Sequence, residues 1–338
     1  MVLNRVFSHI LTAFIALPIS ISISFAREGE WERKADMPTA RHLISACALD
    51  GKIYVFGGYI GINTVTPIAE VYDSQKDIWT KIADMPKPRA TCNSACAVNG
   101  KIYVMGGWDG QEVISRTDEY DPKTGKWKKK ADMSIARSYF STCVVNGKIY
   151  AIGGKVGIAA TVSISNVEEY DPITDTWTKK AKMPIEAAGI GTAVVNEKIY
   201  VAGGDQLPSE KGSLFVYDPI DDKWSVKPKM PFKQEFFGMN SVNGKIYVIG
   251  GIIGGFECDI VEEYNPLISQ WRKCTDMPTP RWALSTVAVG GKIYAIGGAT
   301  IGNPFSIVEE YDTGYIPPKD VDSEDKLSTT WGNIKNRA

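Results

Sequence analysis

The sequence predicts an all-β fold: a six-bladed β-propeller with four antiparallel strands per blade, the ring closed by its N-terminal strand. Three observations predict it. A Tyr is followed seven residues later by a Trp at Tyr72/Trp79, Tyr120/Trp127, Tyr170/Trp177, Tyr217/Trp224 and Tyr264/Trp271, whereas Tyr311 has no Trp after it and Trp31 has no Tyr before it. Each unit also holds a glycine pair, Gly57-Gly58, Gly106-Gly107, Gly153-Gly154, Gly203-Gly204, Gly250-Gly251 and Gly297-Gly298. The step from Trp to the next pair is 26 residues in five units and 27 in the other (79 to 106). A period of about 40–50 residues made of short strands builds a propeller, not a helical solenoid. The split sixth unit makes the segment around Trp31 the outer strand of the last blade, so deleting residues 27–38 should open the ring.

The elements follow in order within each unit. The second unit reads as strands over about 90–98, 101–107, 115–121 and 126–132. The first hairpin turns at Asn99-Gly100, Asn146-Gly147 or Asn243-Gly244, residues that tolerate the positive φ of a two-residue turn. The second strand is a β-rich run into the glycine pair, Lys52-Ile53-Tyr54-Val55-Phe56 or Lys245-Ile246-Tyr247-Val248-Ile249. The third ends at a proline, as in Glu168-Glu169-Tyr170-Asp171-Pro172, because proline cannot donate to a ladder. One such sheet leaves both faces apolar, and six packed around an axis bury them. Tyr and Trp fill the space between sheets. The second unit carries one extra residue, with 11 steps from Arg89 to Gly100 against 10 from Arg41 to Gly51. A β-bulge is expected there, near Cys92 to Cys96.

These residues resemble the kelch repeat over about residues 31–312: Met-Pro-x-x-Arg, Asn-Gly-Lys-Ile-Tyr, the glycine pair, Glu-x-Tyr-Asp-Pro, and Trp. Departures are few. Ser134 replaces Pro, Glu197 the turn Gly, Asn265 the Asp, and Ala187 and Gln234 stand where other units have Arg41, Arg89, Arg137 and Arg281.

Residues 1–26 read as a signal peptide: Arg5, an apolar stretch from Ile10 to Phe25 interrupted by Pro18, and small residues at Ser24 and Ala26. An uncleaved anchor is the alternative. The expected location is secreted, periplasmic or cell surface, with no membrane insertion after cleavage. The absence of any Asn-x-Ser/Thr acceptor points toward a bacterial exporter. The propeller is expected over 27–312. The tail, 313–338, reads either as a flexible end or as a short docking signal carried by Trp331. Loss of Arg5 takes the formal charge from −1 to −2, which gives no reason to expect nucleic acid as a partner.

Histidine is the most useful scarcity. Of two, His9 leaves with the signal peptide and His42 remains. A copper oxidase on a kelch ring, similar to galactose oxidase, needs more than one imidazole, and a zinc site of His type fails likewise. No Gly-x-Ser-x-Gly elbow, Gly-x-x-x-x-Gly-Lys loop or Cys-x-x-Cys occurs, so no cofactor is expected. Cys47, Cys96 and Cys143 share one repeat position and are expected as small buried residues of the inner strands. Cys258 and Cys274 fall on adjacent strands, but the register places Cys258 nearer Met277, leaving a bridge possible without favouring it.

Binding belongs on loops held by a rigid frame. One face of the ring collects the loops after Met-Pro and those after the glycine pair. Arg41, Arg89, Arg137 and Arg281 around that mouth would attract an anionic ligand such as a carboxylate peptide or acidic sugar, or would only brace the loops. Residues the repeat does not demand are Tyr59, Trp108, Asp109, His42, Tyr139, Glu235 and Trp282. Exposed aromatics beside charges suit sugar stacking or a protein hot spot, although Tyr139 and Trp282 could equally point into the ring. The step from glycine pair to Tyr is 14, 13, 16, 13, 13 and 13 residues, with no insertion of the kind catalytic loops need. The sequence therefore reads as an exported, non-enzymatic binding module for a protein or glycan ligand. The resemblance also implies an alternative, since exported six-bladed kelch rings include sialic-acid mutarotases; such chemistry needs an acid/base near a bound anionic sugar, for which Glu235 with Arg281 would serve. A structural component of a cell-surface assembly is the third reading.

Overall fold

The computed structural model describes residues 29–317 apart from 62, 92, 158–159, 206–211 and 301–302. The expected leader and Trp331 lie outside the described residues, as does His9. Every regular element described is a strand: six four-stranded antiparallel sheets and four two-stranded ribbons. The first blade comprises Ser45–Leu49, Lys52–Phe56, Ala69–Asp73 and Ile78–Lys81. The sixth comprises Ser285–Val289, Lys292–Ile296, Val308–Asp312 and, from the other end of the chain, Trp31–Lys34. Trp31 pairs with Tyr311, as the split repeat requires.

Local chemistry sets the strands. Asn99, Asn146 and Asn243 turn with φ of 51°, 51° and 50°, each followed by a left-handed glycine. Glu197 takes the glycine's place at φ 60°, an unfavourable backbone for that residue. Tyr72, Tyr170 and Tyr217 are fully buried. Their hydroxyls donate to Asp77, Asp175 and Asp222, whose carboxylates accept the backbone N–H of Ala35, Ala131 and Ala181 in the preceding loop. The repeat tryptophans add a second tie across the same junctions, Trp79 Nε1 donating to Ala35 O at 2.8 Å and Trp177 Nε1 to Ala131 O at 2.9 Å. Each Tyr–Trp pair thus joins neighbouring blades as well as filling the gap between them.

The inner strands surround an axial cavity of about 300 Å³ into which Cys47, Cys96 and Cys143 face. Burial raises the pKa of all three thiols, that of Cys96 to about 12, so they are small, unreactive wall residues. Cys258 and Cys274 are both unbridged. Met277 N–H bonds to Asp259 O, next to Cys258, as the register implied.

The expected bulge is corrected. The inner strand of the second blade runs regularly over Ala95–Val98, and the surplus is taken up before it, where Asn93 adopts φ 51°. Asparagine tolerates that conformation. Its carbonyl accepts from Thr142 of the third blade and its Oδ1 from Ser285 of the sixth, so the extra residue spans the top of the axial cavity.

Candidate functional site

The four arginines lie beneath the mouth. Arg41, Arg137 and Arg281 are 0% exposed and Arg89 is 2% exposed. Arg41 donates to Glu70 at 2.5 Å and to the carbonyls of Gly57 and Ile68 at 2.9 Å. Arg281 pairs with Glu309 at 2.6 Å, and Arg89 and Arg137 pair with Asp118 and Glu168 in the same way. The carboxylate sits on the third strand, so each arginine pins a loop to the blade below it. The anionic-ligand expectation for these side chains is therefore corrected to the bracing one, because both NH2 arms of each guanidinium are held by the carboxylate and backbone carbonyls, and the remaining Nε–H is sealed from solvent. Arg281, held by Glu309, is likewise withheld from Glu235 at the surface.

The residue after the arginine position pairs with the residue after the glycine pair. His42 bridges Tyr59, Ala90 bridges Trp108, Ser138 bridges Lys155, Glu235 bridges Ile252 and Trp282 bridges Ala299. Except in the second blade, where the left-handed residue is Asn93, the next residue turns left-handed, and it reaches around the axis. Leu43 N–H donates to Ala283 O, Ala283 to Phe236 O, Phe236 to Gly189 O, Gly189 to Tyr139 O, and Thr91 to Leu43 O, at 2.8–3.0 Å. Five blade junctions are thereby closed by single backbone hydrogen bonds at the centre of the mouth. The φ values are 50° at Leu43, 54° at Tyr139 and Phe236, and 53° at Ala283.

This lacing brings five half-buried rings into one arc. Tyr139 meets Phe236 edge-on at 5.6 Å, Phe236 meets Trp282 at 5.8 Å, Trp282 meets His42 at 5.8 Å, and His42 stacks on Tyr59 at 5.4 Å. Phe236 leans over Gly189, where a Cβ would sit 3.2 Å from the ring. Burial lowers the pKa of His42, so it joins the arc as a neutral ring. A cleft of about 210 Å³ opens beside His42 and Trp282, against Pro304 of the sixth blade's ribbon. Tyr139 and Trp282 thus lie at the mouth, partly exposed, and do not descend into the ring.

The remaining sequence candidates are spread more widely. Trp108 is half-buried between Ala90 and Val113 on the second blade and is not in ring contact with the arc. Asp109 accepts the N–H of Gln111 and of Glu112 at 2.9 Å and lies 3.6 Å from Lys87. Burial opposes its ionisation, yet these donors hold its pKa below the usual range, so it shapes its own turn. On the third and fourth blades, where Lys155 bridges Ser138 next to Tyr139, lies an ion pair, Lys155 to Asp205 at 2.7 Å, with Asp205 also accepting Ala188 N–H. Phe236 was missed from sequence. Its signal was present, an aromatic two residues after Gln234, at the position Tyr139 holds after Arg137. Among the described residues, no three His, Cys, Asp or Glu side chains gather to hold a metal.

Comparison with known proteins agrees with this architecture. Residues 27–204 match the KLHDC2/KLHL20/DRC7 Kelch-repeats domain, and 187–231 and 236–278 each match the Kelch motif. Beta-scruin of Limulus polyphemus is 29% identical over 118 residues, covering 33% of this chain and 13% of that protein. An F-box/kelch-repeat protein of Arabidopsis thaliana, At4g19870, is 30% identical over 113 residues, covering 33% of this chain and 27% of its own length. Kelch-like protein 25 of Xenopus tropicalis is 30% identical over 108 residues, covering 30% and 18%. The matched stretch thus spans well under a third of each of these relatives. The solved structure of YjhT superposes with a TM-score of 0.70 at 18% identity, over 81% of this chain and 95% of that one.

Proposed function

The chain belongs to the kelch-repeat family, and on that premise we propose that it is an exported binding module that takes its ligand on the aromatic arc of the loop face. The family's repeats typically serve protein binding, and a protein segment offering an apolar or aromatic side chain is the ligand this mouth suits. The observation that carries the reading is the backbone beneath the rings. A left-handed conformation costs a non-glycine residue about 1–2 kcal/mol. The fourth blade meets it with Gly189, whereas Tyr139 and Phe236 accept it, and both present half-exposed rings. Strain retained at a mouth marks side chains kept for what they contact. Flat, partly desolvated rings at 5–6 Å spacing also suit the apolar face of a sugar, so a glycan is the second reading.

Peptide display on the purified protein tests this, with a Phe236→Ala/Trp282→Ala variant as counter-selection. Peptides retained by the parent and lost by the variant support the arc. Peptides held equally by both would remove it from the site. Titration of Trp282 fluorescence with neutral and acidic oligosaccharides separates the glycan reading. The mass of the exported protein's N-terminus decides cleavage after Ala26.

A further inference from the structure

The brace between loop and third strand is not repeated in every blade. In chain order the loop position is Arg41, Arg89, Arg137, Ala187, Gln234 and Arg281, and the strand position is Glu70, Asp118, Glu168, Phe215, Glu262 and Glu309. The register aligns the second set, each facing an apolar residue of the second strand, as Val55 faces Glu70 and Val248 faces Glu262. Blade four has lost both partners. Blade five has lost only the guanidinium.

Glu262 is 1% exposed and its Oε2 has no hydrogen-bond partner. Gln234 is fully buried, and its Oε1 has none either. Gln234 Nε2 donates to Gly250 O at 2.8 Å, the carbonyl position that Arg41 uses at Gly57 and Arg137 at Gly153. A carbonyl only accepts, so the amide arm on Gly250 must be the NH2. The other arm, Oε1, takes the part of the arginine's second arm, the one that in other blades binds the carboxylate, and it has no partner. Both Gln234 Oε1 and Glu262 Oε2 are acceptors left without a donor at the two positions that the arginine and carboxylate join in the other braced blades.

The surroundings supply little other compensation. The backbone N–H of Phe232, in the loop above, bonds to the carboxylate. Lys273 stands across the register on the outer strand, but its ammonium lies 2.9 Å from Asp276. Cys258, in the segment leading into the third strand, lies close enough to feel the charges of both Asp259 and Glu262, and Lys273 is shared between Asp276, Asp259 and Glu262. Burial dominates and pushes the Glu262 pKa up to about 7, against small opposing contributions from Phe232 N–H and Lys273.

We propose that Glu262 is a proton-operated latch for the loop joining blades four and five. Protonated, it donates to Gln234 Oε1 and replaces the missing guanidinium. Ionised, it is an unpaired charge beneath the loop that carries Glu235 and Phe236 into the mouth. A carboxyl whose folded pKa is raised stabilises fully below its unfolded value, here 4.5, and that stability is lost as pH rises through about 7. The loop is firm in mild acid and loosened above neutrality. The consequence for ligand rests on the aromatic-arc reading; the latch itself does not.

Three measurements test it without any ligand. Carboxyl NMR of the full chain labelled at glutamate should show Glu262 titrating near neutrality, and a midpoint near 4.5 overturns the proposal. Hydrogen exchange of residues 228–237, corrected for intrinsic pH dependence, should rise at least several-fold between pH 5.5 and pH 8.5 in the parent and stay level in Glu262→Gln. Equal rises in both overturn it. Gln234→Arg should abolish the rise by restoring the ion pair, and an unchanged rise in that variant sinks the idea even if Glu262→Gln folds poorly.

Discussion

Blades four and five are neighbours that solved one loss in opposite ways. Where Ala187 replaces arginine, Phe215 replaces the acid, and the space becomes ordinary apolar core. Where Gln234 replaces arginine, Glu262 stays, and two buried oxygens have no donor. Both blades keep the same four-stranded sheet, so the fold does not need the brace. What it cannot ignore is half of one. Replacing both members of a buried polar pair by apolar groups is nearly neutral, whereas removing one leaves the full desolvation cost of the other.

The largest effect that sharpens this contrast is Arg137→Ala. It strands Glu168, 1% exposed, and should cost about 3–5 kcal/mol by denaturant unfolding. An unchanged midpoint would break the comparison. Transplanting blade four's solution, Arg137→Ala with Glu168→Phe, should recover most of that loss, and no recovery would show that the brace does more than neutralise charge. The next effect depends on pH. Gln234→Arg should gain about 1–3 kcal/mol at pH 8.5 and much less at pH 5, since each unit of displaced pKa is worth about 1.36 kcal/mol. The smallest effect on stability is at the mouth. Trp282→Ala should move the unfolding midpoint by only about 1 kcal/mol, within the ordinary range for a half-buried position, while weakening a selected peptide at least tenfold. A large loss of stability there would make Trp282 a packing residue.

The contrast also shows what a periodic sequence can say. The Tyr–Trp ring pairs and the glycine pairs were legible because they repeat in every blade, as was closure at Trp31. The arginines were legible as a set but not by role, because Arg41 and Glu70 meet across 29 residues and nothing local reports burial. Their environment became clear only when the third strand was laid beneath the loop. The extra residue of the second unit was countable, but its conformation depended on Asn93 finding Ser285 four blades' length of chain away, at a separation of 192 residues. Phe236 was hidden for a similar reason. Its importance lies in a glycine of another blade, Gly189, that leaves room for its ring.

Closure at Trp31 has a consequence in time. The pairing of Trp31 with Tyr311 joins the first strand of the described residues to the last, 280 residues later in synthesis. At about 5–20 residues per second, that first strand waits roughly 14–56 s for its partner to be made. Throughout that interval five blades can assemble while the outer strand of the sixth stands without its sheet. The order of synthesis therefore makes the last blade the final one to mature and leaves residues 31–34 open to any competing strand that arrives before Val308–Asp312 do.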